Sequence, residues 1–179
     1  MKITAISGSL RPASSNTAIV NAARLVAPAG VDVIVYDGLG SLLHFNPDLD
    51  SDGAVLPPPV AELRARIGEA DAVLISSPEY AHGVPGTLKN ALDWMVSSVE
   101  FPGKPVGLIN PSVSSVHAHA QLVEILTTMS ANFPPGATVR IPILDRSLDA
   151  NGIAATPALA EAIRAVLRAL VAATVAPSI

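Results

Sequence analysis

Apolar and polar positions along this 179-residue chain follow two alternating rhythms. Short apolar or β-branched runs occur at Lys2–Ser7 and at 31–36, 71–76, 105–110 and 138–143, and each reads as a strand. Between them, apolar residues recur three and four apart, the spacing of one helix face. Residues 16–26 predict a helix, with Ser14, Ser15 or Asn16 as candidate N-caps. Val60, Leu63 and Ile67 predict the next, with Pro58 or Pro59 in its first turn, where a missing N–H is harmless. Residues 85–96 predict a third helix, with Leu88, Leu92 and Met95 on one side and Lys89 one turn from Asp93. Leu122, Ile125, Leu126 and Met129 predict a fourth; Leu159, Ile163, Val166, Leu167 and Leu170 predict the last. Residues 37–58, rich in Gly, Pro and Asp, read as a long surface loop.

Five strand–helix alternations imply an α/β fold of three layers, a parallel sheet with helices on both faces. The economical strand order is 2-1-3-4-5, which puts the switch point between strands one and three. No repeat or linker interrupts the pattern, so residues 1–179 are expected to form a single domain.

Composition narrows the class. Half of the residues are hydrophobic but only 3% are aromatic, and the net charge is −4. No basic stripe suits a nucleic acid. The apolar stretch 159–176 carries Glu161, Arg164 and Arg168, so an amphipathic helix is expected rather than a membrane span. No signal-peptide core precedes the first strand, and the absence of cysteine removes disulfides and thiolate chemistry; a cytoplasmic protein is the expectation.

Two loops carry chemistry. After the first strand comes Ser7-Gly8-Ser9-Leu10-Arg11-Pro12-Ala13-Ser14-Ser15-Asn16. Gly8 allows a sharp bend, Ser9 and Ser14 offer hydroxyls, Arg11 offers a planar charged fork, and Asn16 and Thr17 begin a helix whose free N–H groups favour an anion. That set suits a phosphate, or else a capped helix beside an exposed arginine. It is neither a P-loop nor a dinucleotide fingerprint. After the third strand comes Pro78-Glu79-Tyr80-Ala81-His82-Gly83, whose backbone N–H groups suit the carbonyls and ring nitrogens of a heterocycle.

The two motifs together, Ser-Gly-Ser-Leu-Arg-x-x-Ser-x-Asn at 7–16 and Pro-Glu-Tyr-x-His-x-x-Pro-Gly-x-Leu-Lys-Asn-Ala-x-Asp-Trp at 78–94, resemble the NADPH-dependent FMN reductase family. The resemblance implies a flavodoxin-like fold. It implies that Ser9, Arg11, Ser14, Asn16 and Thr17, with Ser15 among them, bind the FMN phosphate, and that Pro78, Glu79, Tyr80 and Ala81 follow the isoalloxazine. His82 and Gly83 continue that segment, and His82 either meets the ring or substrate or fixes its own loop. In the loop at 110–117, glycines usual in the family are serines, with Ser112 the candidate contact. The resemblance also implies a homodimer or homotetramer.

The expected function is transfer of hydride from NADPH or NADH through FMN to a small acceptor: a quinone, flavin, azo compound or metal oxyanion. No side chain is assigned as a catalytic acid or base. The alternatives are a flavodoxin-type electron carrier, against which Arg11 and the modest charge argue, and a relative that has lost flavin. Residues 48–53 mimic half of a calcium loop, but Pro59 stands where the bidentate Glu is needed. His117 and His119 lack a third ligand by sequence, so no metal site is expected. Trp94 is assigned to packing or a subunit contact.

Overall fold

A computed structural model describes residues 1–51 and 53–175. The strands are β1 (Lys2–Ser7), β2 (Asp32–Tyr36), β3 (Ala72–Ser76), β4 (Val106–Asn110) and β5 (Thr138–Arg140); the helices are α1 (Ser15–Leu25), α2 (Pro58–Glu69), α3 (Gly86–Asp93), α4 (His117–Thr128), α5 (Ala150–Ala155) and α6 (Pro157–Val175). All four strand pairings are parallel, in the order β2-β1-β3-β4-β5. This is the predicted order, and it puts the switch point between β1 and β3.

The pleat sends alternate residues to opposite faces. Ile3, Ala5, Ala72 and Leu74 join α1, α5 and α6 in one core; Ile6, Val73, Ile75 and Leu108 join α2, α3 and α4 in the other. β3 and β4 are buried on both faces, as a covered parallel sheet requires.

Most strand bounds and those of α1 fall within one residue of expectation, and three departures go further. The predicted fifth strand at 138–143 is assigned only as far as Arg140, although its backbone stays beside β4: Ile141 N donates to Asn110 O (3.0 Å) and Ile143 N to Pro111 O (3.0 Å). The donors advance by two residues while the acceptors advance by one, from 110 to 111, so the regular parallel register ends here; Pro142, between them, turns its N–H-less nitrogen to the open edge of the sheet. Helix α3 stops at Asp93, and 94–96 continue as turns. Helix α5 was not predicted. Its cap is Asp149, which accepts from Gly152 N (2.8 Å), and its anchor is the fully buried Ile153. At the far end of α6, Ala176 lies outside the described residues, as does Asp52 of the calcium-loop mimic. Asp50 of that mimic is committed elsewhere, in a buried pair with Arg64 at 2.7 Å.

Tyr36, at the end of β2, has a buried hydroxyl without a partner among the described residues. Burial first, then the charges of Glu62 and Asp37, push its pKa from 10.0 up to about 12. Below the lower value the phenol is protonated whether folded or not. Above it the unfolded chain ionises first, so stability falls as pH rises through that window. Tyr36→Phe is expected to flatten this alkaline loss. It also removes an unsatisfied group, which is worth about 1–3 kcal/mol when buried. Thermal melts of both proteins at neutral and strongly alkaline pH check it; parallel losses would return the effect to other groups.

Candidate functional site

The site begins where β1 leaves the sheet. Gly8 N donates to Ser76 O (2.8 Å), so the loop departs from the seam with β3. Gly8 is needed here for closeness rather than for an unusual φ: a Cβ would stand 2.9 Å from Ser77 Oγ and 3.1 Å from Leu88 Cδ2. Beyond it, the serines fold the loop on itself. Ser7 Oγ accepts from Ser9 N (3.2 Å), Ser9 Oγ accepts from Arg11 N (3.2 Å), and Ser14 Oγ caps α1 by accepting from Asn16 N (3.2 Å). Ser14 is therefore the N-cap among the three candidates.

Asn16 and Thr17 hold this loop from behind. Buried Asn16 accepts from Ser76 Oγ (2.9 Å), tying α1 to β3. Thr17 Oγ1 lies 2.9 Å from Ser7 Oγ and donates to Arg11 O (3.3 Å). The guanidinium of Arg11 makes neither an ion pair nor a hydrogen bond among the described residues. The loop's shape thus comes from hydroxyls and backbone, and the cation is left available.

The loop after β3 is held by α4. Glu79 Oε2 accepts from Ala118 N (2.9 Å), a carboxylate on a helix N-terminus. Gln121 Oε1 accepts from Val84 N (2.7 Å), and the His82 ring stacks on His117 with centroids 4.2 Å apart. Two of the backbone N–H groups of 79–83 are engaged within the loop itself. Tyr80 and Gly83 pair with each other, N to O at 3.1 Å and 2.9 Å, around a tight turn. Its central residues, Ala81 and His82, have φ of 49° and 59°. Both are in the left-handed region that glycine usually occupies, as a type I′ turn demands. His82 therefore fixes its own loop through the turn and the stack.

The loop after β4 is ordered by its serines. Asn110 accepts from Ser112 N (2.9 Å) and donates to Ser115 O (2.6 Å), while Ser112 Oγ accepts from Ser114 N (3.1 Å) and Ser115 N (3.2 Å). Hydroxyls thus organise this loop from within.

These loops surround one cleft of about 590 Å3 at the carboxyl ends of β1, β3 and β4. It brings together Ser9, Arg11, Ser14, Ser15 and Asn16, then Pro78, Glu79 and Tyr80, then Ser112. Thr17, Ala81, His82 and Gly83 do not line it. Two residues of its wall had no signal in the sequence: Leu144 and Arg146, from the segment after β5. Among the described residues, no group of three or more His, Cys, Asp or Glu is placed to hold a metal.

Comparison with known proteins decides the family. The sequence signature of NADPH-dependent FMN reductases matches residues 1–143. The chain belongs to that family. It is 33% identical over 157 residues to an NAD(P)H-dependent FMN reductase of Pseudomonas aeruginosa, covering 85% of this chain and 83% of that one. It is 31% identical over 143 residues to a quinone reductase of Escherichia coli K12, covering 75% of each. Among solved structures it superposes on FerB, a flavoenzyme NAD(P)H:(acceptor) oxidoreductase of Paracoccus denitrificans, with a TM-score of 0.81, 27% identity, and coverage of 97% and 96%. This FMN reductase family member is accordingly a flavodoxin-like oxidoreductase that works with FMN and NAD(P)H. Among its described residues, no helix is long and apolar enough to cross a membrane.

The family motif at 78–94 divides into two parts. Its first half walls the cleft. Its second half clasps the 43–50 loop: Asn90 accepts from Phe45 N (2.7 Å) and donates to Leu43 O (2.9 Å), and Trp94 Nε1 donates to Leu43 O (2.8 Å).

Proposed function

We propose that the cleft holds FMN with its phosphate at the α1 end and its ring system along 78–80, and that the chain reduces a small acceptor such as a quinone, free flavin, azo compound or metal oxyanion at the expense of NADPH or NADH. One observation carries this reading. A cationic, hydroxyl-rich end and an end walled by Pro78 and Tyr80 meet in a single cleft at the switch point of the sheet. The donors fit a phosphate dianion: the Arg11 fork has no protein partner among the described residues, and the first turn of α1 carries unpaired amides.

The flavin, when bound, supplies the hydride and electron chemistry. The protein's part is position. Ser9, Arg11, Ser14 and Ser15 anchor the phosphate, while Asn16 and Thr17 keep their loop rigid. Pro78 and Tyr80 form the wall beside the ring, and Ala81 belongs to the turn behind that wall. Glu79, His82 and Gly83 set the shape of that wall through the helix cap and the turn, and Ser112 closes the far side. No side chain is assigned as acid or base; stacking two ring systems in register is the contribution that accelerates transfer. One open cleft visited in turn by donor and acceptor gives ping-pong kinetics.

Exposed apolar side chains border the cleft: Tyr80 at 54%, Val113 at 59% and Leu144 at 81%. They support a homodimer or homotetramer in which a second copy covers this rim, which light scattering measures directly. Dependence on NAD(P)H favours the cytoplasm, where that pool is maintained.

The deciding test is the absorbance of the purified protein near 450 nm, followed by NADPH and NADH oxidation with menadione or ferricyanide. Retained flavin without turnover would make the protein a carrier; no flavin uptake would remove the assignment. Tyr80→Ala is expected to weaken flavin binding or slow flavin reduction roughly three- to tenfold, the worth of one aromatic contact. Wild-type behaviour would leave Tyr80 as a surface group.

A further inference from the structure

A second recess adjoins the flavin cleft. It is a groove of about 360 Å3 running along one side of α1, with the 146–151 segment as its opposite wall. Ser14, Thr17, Asn21 and Arg24 line it at helical spacing. At the rise of an α-helix, Arg24 lies about 15 Å along the axis from Ser14. Groove and cleft are continuous, because Ala13, Ser14, Ser15 and Arg146 line both. The phosphate end of the cleft therefore opens directly into the groove.

The lining is of three kinds. Ala18, Leu25 and Leu148 are apolar, Asn21 and Asn151 are amides, and Arg24 and Arg146 are cations. Neither arginine joins an ion pair among the described residues. The carboxylate in the wall, Asp149, is engaged by Gly152 N at 2.8 Å.

We propose that this groove is a subsite for an adenosine phosphate, the part of a dinucleotide that extends past the flavin cleft. Apolar surface suits the base, amides suit its polar edge and the ribose, and guanidinium forks suit phosphate. A recess of this size is in the range that holds small ligands. Two molecules carry that chemistry: FAD, whose adenylate continues from the flavin phosphate, and NADP(H), whose adenosine bears a further phosphate. The inference rests on the reading of the cleft as the flavin site, since such a ligand spans both.

Calorimetric titration of wild type and Arg24→Gln tests it, with FMN and FAD on flavin-free protein and with NADP+ and NAD+ on FMN-loaded protein. Arg24 does not line the cleft, so FMN affinity is expected to stay within about twofold. FAD or NADP+ is expected to weaken roughly tenfold, the worth of a charged hydrogen bond. Loss confined to FAD assigns the groove to the flavin's adenylate. Loss on NADP+ exceeding that on NAD+ assigns it to the nicotinamide nucleotide. Unchanged affinity for both in Arg24→Gln and in Asn21→Ala overturns the proposal. Adenosine 2′,5′-bisphosphate, titrated alone, separates the two readings. Uptake that Arg24→Gln abolishes supports the groove even if FMN fails to bind, and no uptake by the wild type counts against the groove whatever FMN does.

Discussion

Arg11→Ala is expected to lower FMN affinity by about one to two orders of magnitude while scarcely changing the melting temperature of the flavin-free protein. The two halves of this expectation have separate causes. The fold does not use the guanidinium: Arg11 is exposed, and its ordered contacts are backbone ones, N–H to Ser9 Oγ and carbonyl from Thr17 Oγ1. Surface substitutions of that kind change stability by about 0.5 kcal/mol or less. A phosphate, by contrast, would gain charge-assisted hydrogen bonds worth about 1.5–3 kcal/mol, which is the stated range of affinity. Arg11→Lys keeps the charge but loses the fork, so it should fall between the two. Quenching of flavin fluorescence on titration gives the affinities, and a salt series shows whether the lost part is electrostatic. If Arg11→Ala binds FMN as the wild type does, the cation is a bystander and the hydroxyls and helix amides hold the phosphate alone.

Arg11 was readable in the sequence because its signal is local: a glycine, short hydroxyls, an arginine and a helix start, in one run. The five strands were readable for the same reason, since apolar and β-branched runs announce buried strands wherever they occur. The rest depends on contacts between distant parts of the sequence. Arg146 sits in an unremarkable polar loop and enters the cleft wall only because the backbone after β5 stays against β4. Glu79 looked like a ring-side group, and its carboxylate finds a helix amide 39 residues away. Helix α5 is short and contains Gly152, so its propensity is weak; packing of Ile153 in the core makes it form. The turn at 80–83 has no signal of its own in the sequence: its left-handed residues are Ala81 and His82, held there by the cross-turn pair and the His117 stack. Non-glycine residues in that region are strained and tend to collect at functional sites, which agrees with the place of this turn beside the cleft.

The second half of the family motif leads to the largest expected change in stability. Trp94 is fully buried, and it holds the 43–50 loop in three ways. Its Nε1 donates to Leu43 O (2.8 Å), its ring meets Phe45 edge-on at 5.1 Å, and its carbonyl accepts from Arg64 Nε (3.0 Å) and Nη2 (2.6 Å). The same guanidinium binds Asp50 at 2.7 Å, with the Asp50 side chain only 6% exposed. Trp94→Ala is expected to cost about 3–5 kcal/mol, as truncation of a buried aromatic does. For a chain of this size that is a fall in melting temperature on the order of 10 °C. Trp94→Phe keeps most of the packing and loses the hydrogen bond, so about 1–3 kcal/mol is expected. Because the hydrogen bonds, ion pair and ring contact of the clasp reach none of the residues lining the cleft, the folded fraction of either variant should bind FMN within a few-fold of wild type. Chemical denaturation with a parallel flavin titration separates the two quantities. A variant that is stable but flavin-deficient would show instead that the clasp supports the ring-side wall through α3, and the division of the motif into a cleft half and a clasp half would not stand.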